Sequence, residues 1–144
     1  MKVFFDTCVL AALTVPEDLL NPGAKIVYKK ITQMSFRQFT SDYVLDEVYT
    51  LLSARRGHHR AVAFMDAFDR SGVEILRVER SIELDAKNIF RKYDLPRLSF
   101  TDCASFALIN FHRIDHVFSF DEHFSMFRFN HPVTLLGRVE NCKW

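Results

Sequence analysis

The sequence opens with a short apolar run, Val3, Phe4 and Phe5, that ends at the carboxylate of Asp6. Such a run, followed at Thr7 by a helix-forming segment, predicts a buried β-strand that passes directly into a helix. A strand that is apolar on both faces fits the middle of a parallel sheet covered by helices. Because ligands of such sheets bind beyond the carboxyl ends of the strands, Asp6 marks a candidate site.

The pattern of a strand followed by a helix repeats along the chain. Five segments predict strands, at residues 2–5, 37–40, 73–78, 115–120 and 133–136. Seven segments predict helices, at residues 7–13, 24–34, 43–56, 58–70, 81–93, 101–112 and 122–127. The alternation predicts an α/β fold with a mostly parallel sheet, and residues 1–144 are expected to form a single domain because no linker or repeat interrupts them.

Two helical segments supply most of the predicted helical core. In the helix at 58–70 four apolar side chains are core candidates: Val62, Phe64, Met65 and Phe68. The helix at 101–112 is apolar almost all round, up to Phe111, which predicts that it is buried. The aromatic segment 124–129 has two interpretations, a local core or a hydrophobic patch for a partner or a second copy of the chain. The 15 phenylalanines incline the interpretation towards a homodimer.

Composition excludes several classes of protein. The formal net charge is only +1, so no strong overall field draws the chain to a polyanion or a membrane. No apolar run approaches the roughly 20 residues of a membrane span, and the N-terminus does not resemble a signal peptide. Cys8, Cys103 and Cys142 lie far apart and are expected to be buried thiols in a reducing cytoplasm.

Four acidic residues occupy positions from which carboxylates reach a shared cleft. Asp6 and Asp121 follow strands, Asp102 stands in the first turn of an apolar helix, and Glu47 lies at the border of the buried face of another. Its neighbour Asp46 is expected to face water. Each acid also has an ordinary explanation as a helix cap or a solvated residue.

Carboxylates that converge in one place repel each other unless a cation lies between them. Hard oxygen ligands without His or Cys suit Mg²⁺ or Mn²⁺, and such ions support cleavage of phosphodiester bonds. Three histidines are not expected to contribute. His112 and His116 would pair only on a continuous helix, and His123 is expected on a helix surface.

Four segments of the sequence together resemble the acidic motifs of PIN domains. They are Phe5-Asp6-Thr7, Thr40 to Glu47, Leu98 to Asp102 and Phe118 to Phe124. Within that family the chain is most similar to VapC-type toxin ribonucleases, and the likeness covers essentially the whole chain.

The resemblance implies a three-layer α/β/α sandwich with strand order 3-2-1-4-5 and a Mg²⁺- or Mn²⁺-dependent endoribonuclease. Asp6, Glu47, Asp102 and Asp121 match the metal-binding and catalytic acids of the family, with Thr7 and Ser119 in support. The resemblance also implies a small antitoxin protein as partner.

RNA is repelled by an acidic site, so a substrate of that kind needs a basic rim. Arg55, Arg56 and Arg60 are the best candidates, although a solvated helix end explains them equally well.

Three alternatives compete with this interpretation. A phosphoryl-transfer enzyme of the haloacid-dehalogenase type needs a second Asp where this chain has Cys8. A receiver-like signalling domain usually needs an adjacent pair of acids on its first strand, where Phe5-Asp6 offers one. A PIN-like module that binds RNA or protein without cutting has no need of four repelling carboxylates.

Overall fold

The computed structural model describes residues 1–137 of the chain. Its strands are β1 (Lys2–Phe5), β2 (Arg37–Ser41), β3 (Glu74–Leu76), β4 (His116–Phe118) and β5 (Thr134–Leu136). Its helices are α1 (Thr7–Thr14), α2 (Asn21–Gln33), α3 (Asp42–Arg56), α4 (His58–Asp69), α5 (Arg80–Lys92), α6 (Phe100–His112) and α7 (His123–Met126). Every element predicted from the sequence is present.

The five strands form one fully parallel sheet in the order β3-β2-β1-β4-β5. In the centre, Phe4 of β1 lies opposite Phe39 on one side and Val117 on the other. Successive side chains of β1 point to opposite faces of the sheet, and Val3, Phe4 and Phe5 are all buried, so helices cover both faces. The three-layer sandwich and its strand order are confirmed, and receiver domains, which have the order 2-1-3-4-5, are excluded.

Three strands are shorter than the sequence predicts: β5 by one residue, and β3 and β4 by three residues each. The segment 73–78 forms strand only from Glu74 to Leu76, because the backbone N–H of Val78 donates to Oδ1 of Asp42 at 3.1 Å instead of continuing the ladder. The segment 115–120 forms strand from His116 to Phe118. The backbone N–H of Ser119 still donates to the carbonyl oxygen of Leu136 in β5 at 3.2 Å. Beyond Ser119, side chains hold the backbone instead: the N–H of Phe120 donates to Sγ of Cys8, and the N–H of Asp121 donates to the Ser119 hydroxyl oxygen.

The core predictions for α4 were half right. Phe64 and Phe68 are buried, but Val62 and Met65 are exposed, because α4 is an outer helix that buries only one stripe against its neighbours. Phe111 is likewise 65% exposed, since it lies in the last turn of α6, on the side that turns away from the sheet. The apolar character of these two helical segments therefore predicted more burial than the structure shows.

The aromatic segment 124–129 is a local core. The rings of Phe127 and Phe106 stack at 4.4 Å, and Phe124 meets the edge of Phe106 at 5.0 Å. Because Phe106 lies one turn beyond Asp102 on α6, this packing holds the loop that carries Asp121 against the first turn of α6. The homodimer stays a prediction.

Cys8 and Cys103 are buried thiols, as expected, and Cys142 lies outside the described residues. Within residues 1–137, none of the helices has the length and apolar character needed to cross a bilayer.

Candidate metal centre

Asp6 lies at the carboxyl end of β1 and is almost completely buried. Its backbone N–H donates to the carbonyl oxygen of Phe118 at 3.1 Å, which keeps the ends of β1 and β4 together. Its side chain does not cap α1. Instead, Oδ2 accepts a hydrogen bond from the Ser119 hydroxyl at 2.8 Å and one from the Cys8 thiol at 3.4 Å. The ordinary explanation of Asp6 as a helix cap therefore fails.

Ser119 connects the first acid to the last. While its hydroxyl donates to Asp6, the hydroxyl oxygen accepts from the backbone N–H of Asp121 at 2.9 Å. Ser119 is itself buried. One side chain thus fixes both the carboxylate that ends β1 and the turn that carries Asp121.

Asp102 forms a complete capping box with Ser99 at the start of α6. Its Oδ2 accepts from the backbone N–H of Ser99 at 3.1 Å, and the Ser99 hydroxyl accepts from the N–H of Asp102 at 3.0 Å. The ordinary explanation of Asp102 is therefore real. It does not account for the surroundings of this buried carboxylate, which faces the acids of two other elements.

Glu47 is half-buried on α3, and its neighbour Asp46 is exposed, as the helical pattern predicts. The negative charge of Glu47 is among the causes that raise the pKa of Asp102. Glu47 therefore shares the electrostatic environment of the other acids.

The pKa values of the two most buried acids record their mutual repulsion. Burial raises the pKa of Asp6 well above its usual range, followed by electrostatic interaction with Cys8 and with the carboxylates of Asp102 and Asp121, against the hydrogen bond from Ser119. Burial and the charge of Asp121 raise the pKa of Asp102 to about 6. The structure thus gathers negative charge where water cannot screen it.

His123 is a residue of this site that the sequence interpretation missed. It was expected on a helix surface, but its side chain is only 9% exposed. Nδ1 lies 2.9 Å from Oδ1 of Asp121 and 3.4 Å from Oδ2 of Asp102, and Nε2 lies 2.8 Å from the carbonyl oxygen of Pro96. Burial alone would lower the pKa of His123, but the Pro96 contact and the two carboxylates outweigh burial and raise it.

The local cause is a tight turn that helical periodicity does not describe. The backbone N–H of His123 donates to Oδ1 of Asp121 at 2.9 Å, which folds the imidazole back beside that carboxylate. The sequence signal is the spacing Asp-x-His directly after a strand. A helix of only four residues is too short for a surface face to be assigned from its sequence.

Among residues 1–137, three side chains on two elements bring potential metal-binding atoms together. One atom each from Asp102, Asp121 and His123 lie within 4.8 Å of one another, whereas Asp6 and Glu47 are not in that group. Thr7, predicted as a supporting residue, is buried next to Asp6, and its hydroxyl has no hydrogen bond. Clustered carboxylates, the raised pKa values of Asp6 and Asp102, and a buried hydroxyl left unsatisfied fit a divalent cation.

Two of the three arginines predicted as an RNA rim lie well along α3 from Glu47. Arg55 and Arg56 occupy the last turn of α3, and Arg55 is eight residues beyond Glu47, or about 12 Å along the helix. Arg60, on α4, forms an ion pair with Glu17. Their part in RNA binding stays a prediction.

Comparison with known proteins identifies relatives of this chain. The family model described as PIN domain matches residues 3–130. The chain is 32% identical over 123 residues to the 23S rRNA-specific endonuclease VapC20 from two strains of Mycobacterium tuberculosis, covering 85% of this chain and 92% of the relative.

Two solved structures share the fold. The crystal structure of Mycobacterium tuberculosis VapC20, described as a Sarcin-Ricin loop cleaving toxin, superposes with a TM-score of 0.78 and 30% identity over 89% of this chain and 96% of that one. VapBC2 from Rickettsia felis, solved with a DNA fragment from its promoter, superposes with a TM-score of 0.71 at 11% identity over 95% of this chain and 98% of that one. At that identity the second likeness concerns the fold alone.

Proposed function

The chain belongs to the PIN domain family, and from that premise we propose that it is a Mg²⁺- or Mn²⁺-dependent endoribonuclease, the toxin of a toxin–antitoxin pair. The observation that carries the proposal is the convergence of acids from distant parts of the chain. Asp102 and Asp121 approach each other beside Asp6, and the negative charge of Glu47 reaches Asp102. No purely structural role requires this repulsion.

Asp6, Glu47, Asp102 and Asp121 are the residues that would hold the cation. When bound, a divalent cation supplies Lewis-acid stabilisation of phosphoryl oxygens and lowers the pKa of water. Ser119 orients Asp6 through its hydrogen bond, and the same hydroxyl fixes the turn of Asp121. Thr7 places a buried hydroxyl beside the acids. These side chains are held by secondary structure and by packing, so little reorganisation is required when substrate binds.

The proposed substrate is structured RNA, and the first target to test is the sarcin–ricin loop of 23S rRNA. This follows from the identity with VapC20 along most of both chains. The proposed partner is a small antitoxin protein, which would be tested by co-expression with the gene that neighbours this one. Arg55, Arg56 and Arg60 are proposed to contact the RNA backbone.

The decisive experiment is cleavage of an RNA stem-loop by the purified chain with Mg²⁺, with Mn²⁺ and with EDTA. We expect cleavage with either cation, none in EDTA, and a loss of at least about 100-fold in Asp6→Asn. A stem-loop with a scrambled loop sequence measures specificity. Undiminished cleavage by Asp6→Asn, or cleavage in EDTA, would show that the activity lies elsewhere, and RNA binding without any cleavage would favour the non-cutting binding module.

A further inference from the structure

The imidazole of His123 points its Nδ1 at two carboxylates of the acidic cluster without the geometry of a hydrogen bond to either. Nδ1 is within ion-pair distance of Asp121 and Asp102, yet it makes no hydrogen bond with any described residue. The ring is buried, so water cannot readily compensate. A buried nitrogen that faces two carboxylates without a hydrogen bond leaves room for a bound ion that all three groups could contact.

The opposite side of the ring decides which nitrogen is available. Nε2 lies 2.8 Å from the carbonyl oxygen of Pro96. A carbonyl oxygen can only accept, so Nε2 carries the proton of this hydrogen bond, and in the neutral ring the lone pair is on Nδ1. Metal-ligating histidines nearly always donate their other ring N–H to a carbonyl or a carboxylate, and Pro96 occupies that position here.

Two further contacts fix the ring in place. The backbone N–H of His123 donates to Oδ1 of Asp121, which joins the orientation of the ring to that of the carboxylate. Next along the chain, Phe124 is buried and packs on Phe106. The lone pair of Nδ1 and the oxygens of Asp102 and Asp121 are therefore held together by packing of the core.

We infer that His123 is a nitrogen ligand of the divalent cation, bound through Nδ1 beside carboxylate oxygens of Asp102 and Asp121. This inference rests on the proposed function, in which a cation binds at this site. Mg²⁺ prefers oxygen ligands in a strict octahedron and dehydrates reluctantly, whereas Mn²⁺, as a first-row transition-metal ion, accepts an imidazole nitrogen among its carboxylate ligands more readily. The site therefore discriminates in favour of Mn²⁺ over Mg²⁺ more strongly than a site built from carboxylates alone.

The test uses the full chain loaded with Mn²⁺ and pulsed electron paramagnetic resonance, which detects nitrogen nuclei bound to the ion. We expect modulation from a histidine ¹⁴N in the unmodified chain and its loss in His123→Gln, which keeps a side-chain N–H donor and an oxygen but has no imidazole. The matched control is His116→Gln. His116 also has a buried Nδ1 without a hydrogen bond, but it lies at the start of β4, at the opposite edge of the sheet, so the modulation should remain.

Binding titrations give a second readout. Mn²⁺ affinity should fall by at least about 10-fold in His123→Gln, since loss of even an outer-sphere partner costs that much, while Mg²⁺ affinity should change far less. If His123→Gln does not fold, chain grown with ¹⁵N-histidine decides the matter, because the modulation frequency must then shift from ¹⁴N to ¹⁵N.

The outcomes separate this inference from the proposed function. Bound Mn²⁺ without histidine modulation, together with cation-dependent RNA cleavage, overturns the nitrogen ligand and leaves the nuclease intact; His123 is then a counter-ion of the carboxylates. Modulation that survives in His123→Gln, or disappears in His116→Gln, also overturns it. Failure of the chain to bind Mn²⁺ overturns both.

Discussion

Acidic side chains at the two ends of the central strands have pKa values shifted in opposite directions. Where β1 and β4 begin, Oδ1 of Asp115 accepts from the backbone N–H of Lys2 at 2.8 Å and lies 3.3 Å from Nδ1 of His116. Burial alone would raise the pKa of Asp115, but these contacts hold it below its usual value. Where the same strands end, the pKa values of Asp6 and Asp102 are raised.

The opposite shifts indicate that the carboxylate at the amino edge of the sheet stabilises the fold, whereas those at the carboxyl edge form the candidate site. At the amino edge the carboxylate of Asp115 accepts one backbone hydrogen bond and lies beside an imidazole, an arrangement that serves stability alone. The carboxyl edge instead keeps several acids together at a cost in stability. Asp6 and Asp102 receive hydrogen bonds that fix their orientation, but these do not compensate for the repulsion. The protein retains an arrangement that becomes favourable only when a cation binds.

The first prediction tests the difference between the two edges by removing one carboxylate charge at each. Asp102→Asn should reduce cation-dependent RNA cleavage by at least about 100-fold, because the carboxylate is lost from the cluster. Asn retains an oxygen that can accept from Ser99, so the capping box survives. Asp115→Asn makes the same change at the amino edge and should leave cleavage unchanged. Initial rates on one RNA stem-loop measure both variants. Equal losses in the two would mean that the edges do not differ in function.

The second prediction concerns the pH dependence of stability without metal. The folded pKa of Asp102, about 6, lies above its ordinary value of 3.8, so the folded state binds more protons than the unfolded state between these values. The free energy of unfolding therefore falls as pH rises from about 4 to about 6, by on the order of 2 kcal/mol for this group. The raised pKa of Asp6 acts in the same direction.

Urea unfolding at pH 5, 6 and 7 in EDTA measures this effect. Asp102→Asn should be more stable than the unmodified chain at pH 7 and should show a flatter pH profile, and added Mn²⁺ should stabilise only the unmodified chain strongly. Glu17 and Asp115 have lowered pKa values and act in the opposite direction, but below this range. Burial and the charge of Lys2 lower the pKa of His112, which opposes the effect near pH 6, whereas the raised pKa of His123 adds to it. A His112→Gln background removes the opposing contribution. A stability that rises between pH 5 and pH 7 would contradict the prediction.

Much of this architecture could be predicted from sequence, because the relevant signals are periodic. The apolar run at β1 and the alternation of strands with helices determined the layers, and the 3.6-residue period placed Glu47 at the border of α3 with Asp46 in water. Asp102 could be placed in the first turn of α6 because the capping pattern beginning at Ser99 is local. Each of these inferences uses only neighbours within a few residues.

What the sequence did not predict depends on contacts between distant segments. Val62 and Met65 are apolar but exposed, since their burial depends on what packs over α4. His123 was assigned to a surface because α7 is a single turn without a measurable face. Its burial depends on Pro96 and on the packing of Phe124 against α6, which lie far apart in the chain. The strand order came from the family resemblance, because sheet order has no local signal.

A third prediction tests which of two adjacent acids on α3 belongs to the acidic cluster. Glu47→Gln should lower cleavage by about 10-fold, a smaller loss than Asp102→Asn because Glu47 is only half-buried and its charge is partly screened. Asp46→Asn, one residue away and exposed, is the matched control and should cleave normally. The comparison is made at saturating Mn²⁺ and again at limiting Mn²⁺. If both variants lose activity equally, net charge on α3 matters and the position of the carboxylate does not.

The smallest expected effect concerns the arginines at the end of α3. It tests whether bound RNA extends from the carboxyl edge of the sheet along that helix. Arg55 and Arg56 lie towards the far end of α3, about 12 Å from Glu47, so only a substrate that extends over the helix contacts them. The double variant Arg55→Ala/Arg56→Ala should weaken RNA binding a few-fold and leave the maximal rate unchanged. The salt dependence of binding should also become shallower, by about 0.7 in the logarithmic slope for each phosphate that an arginine no longer neutralises. Lys29→Ala/Lys30→Ala removes two charges from an exposed face of α2 and serves as the control. An identical shift in both double variants would mean that RNA binding responds to the net charge of the protein alone. The difference between the two edges would then bear on catalysis, but not on where the RNA binds.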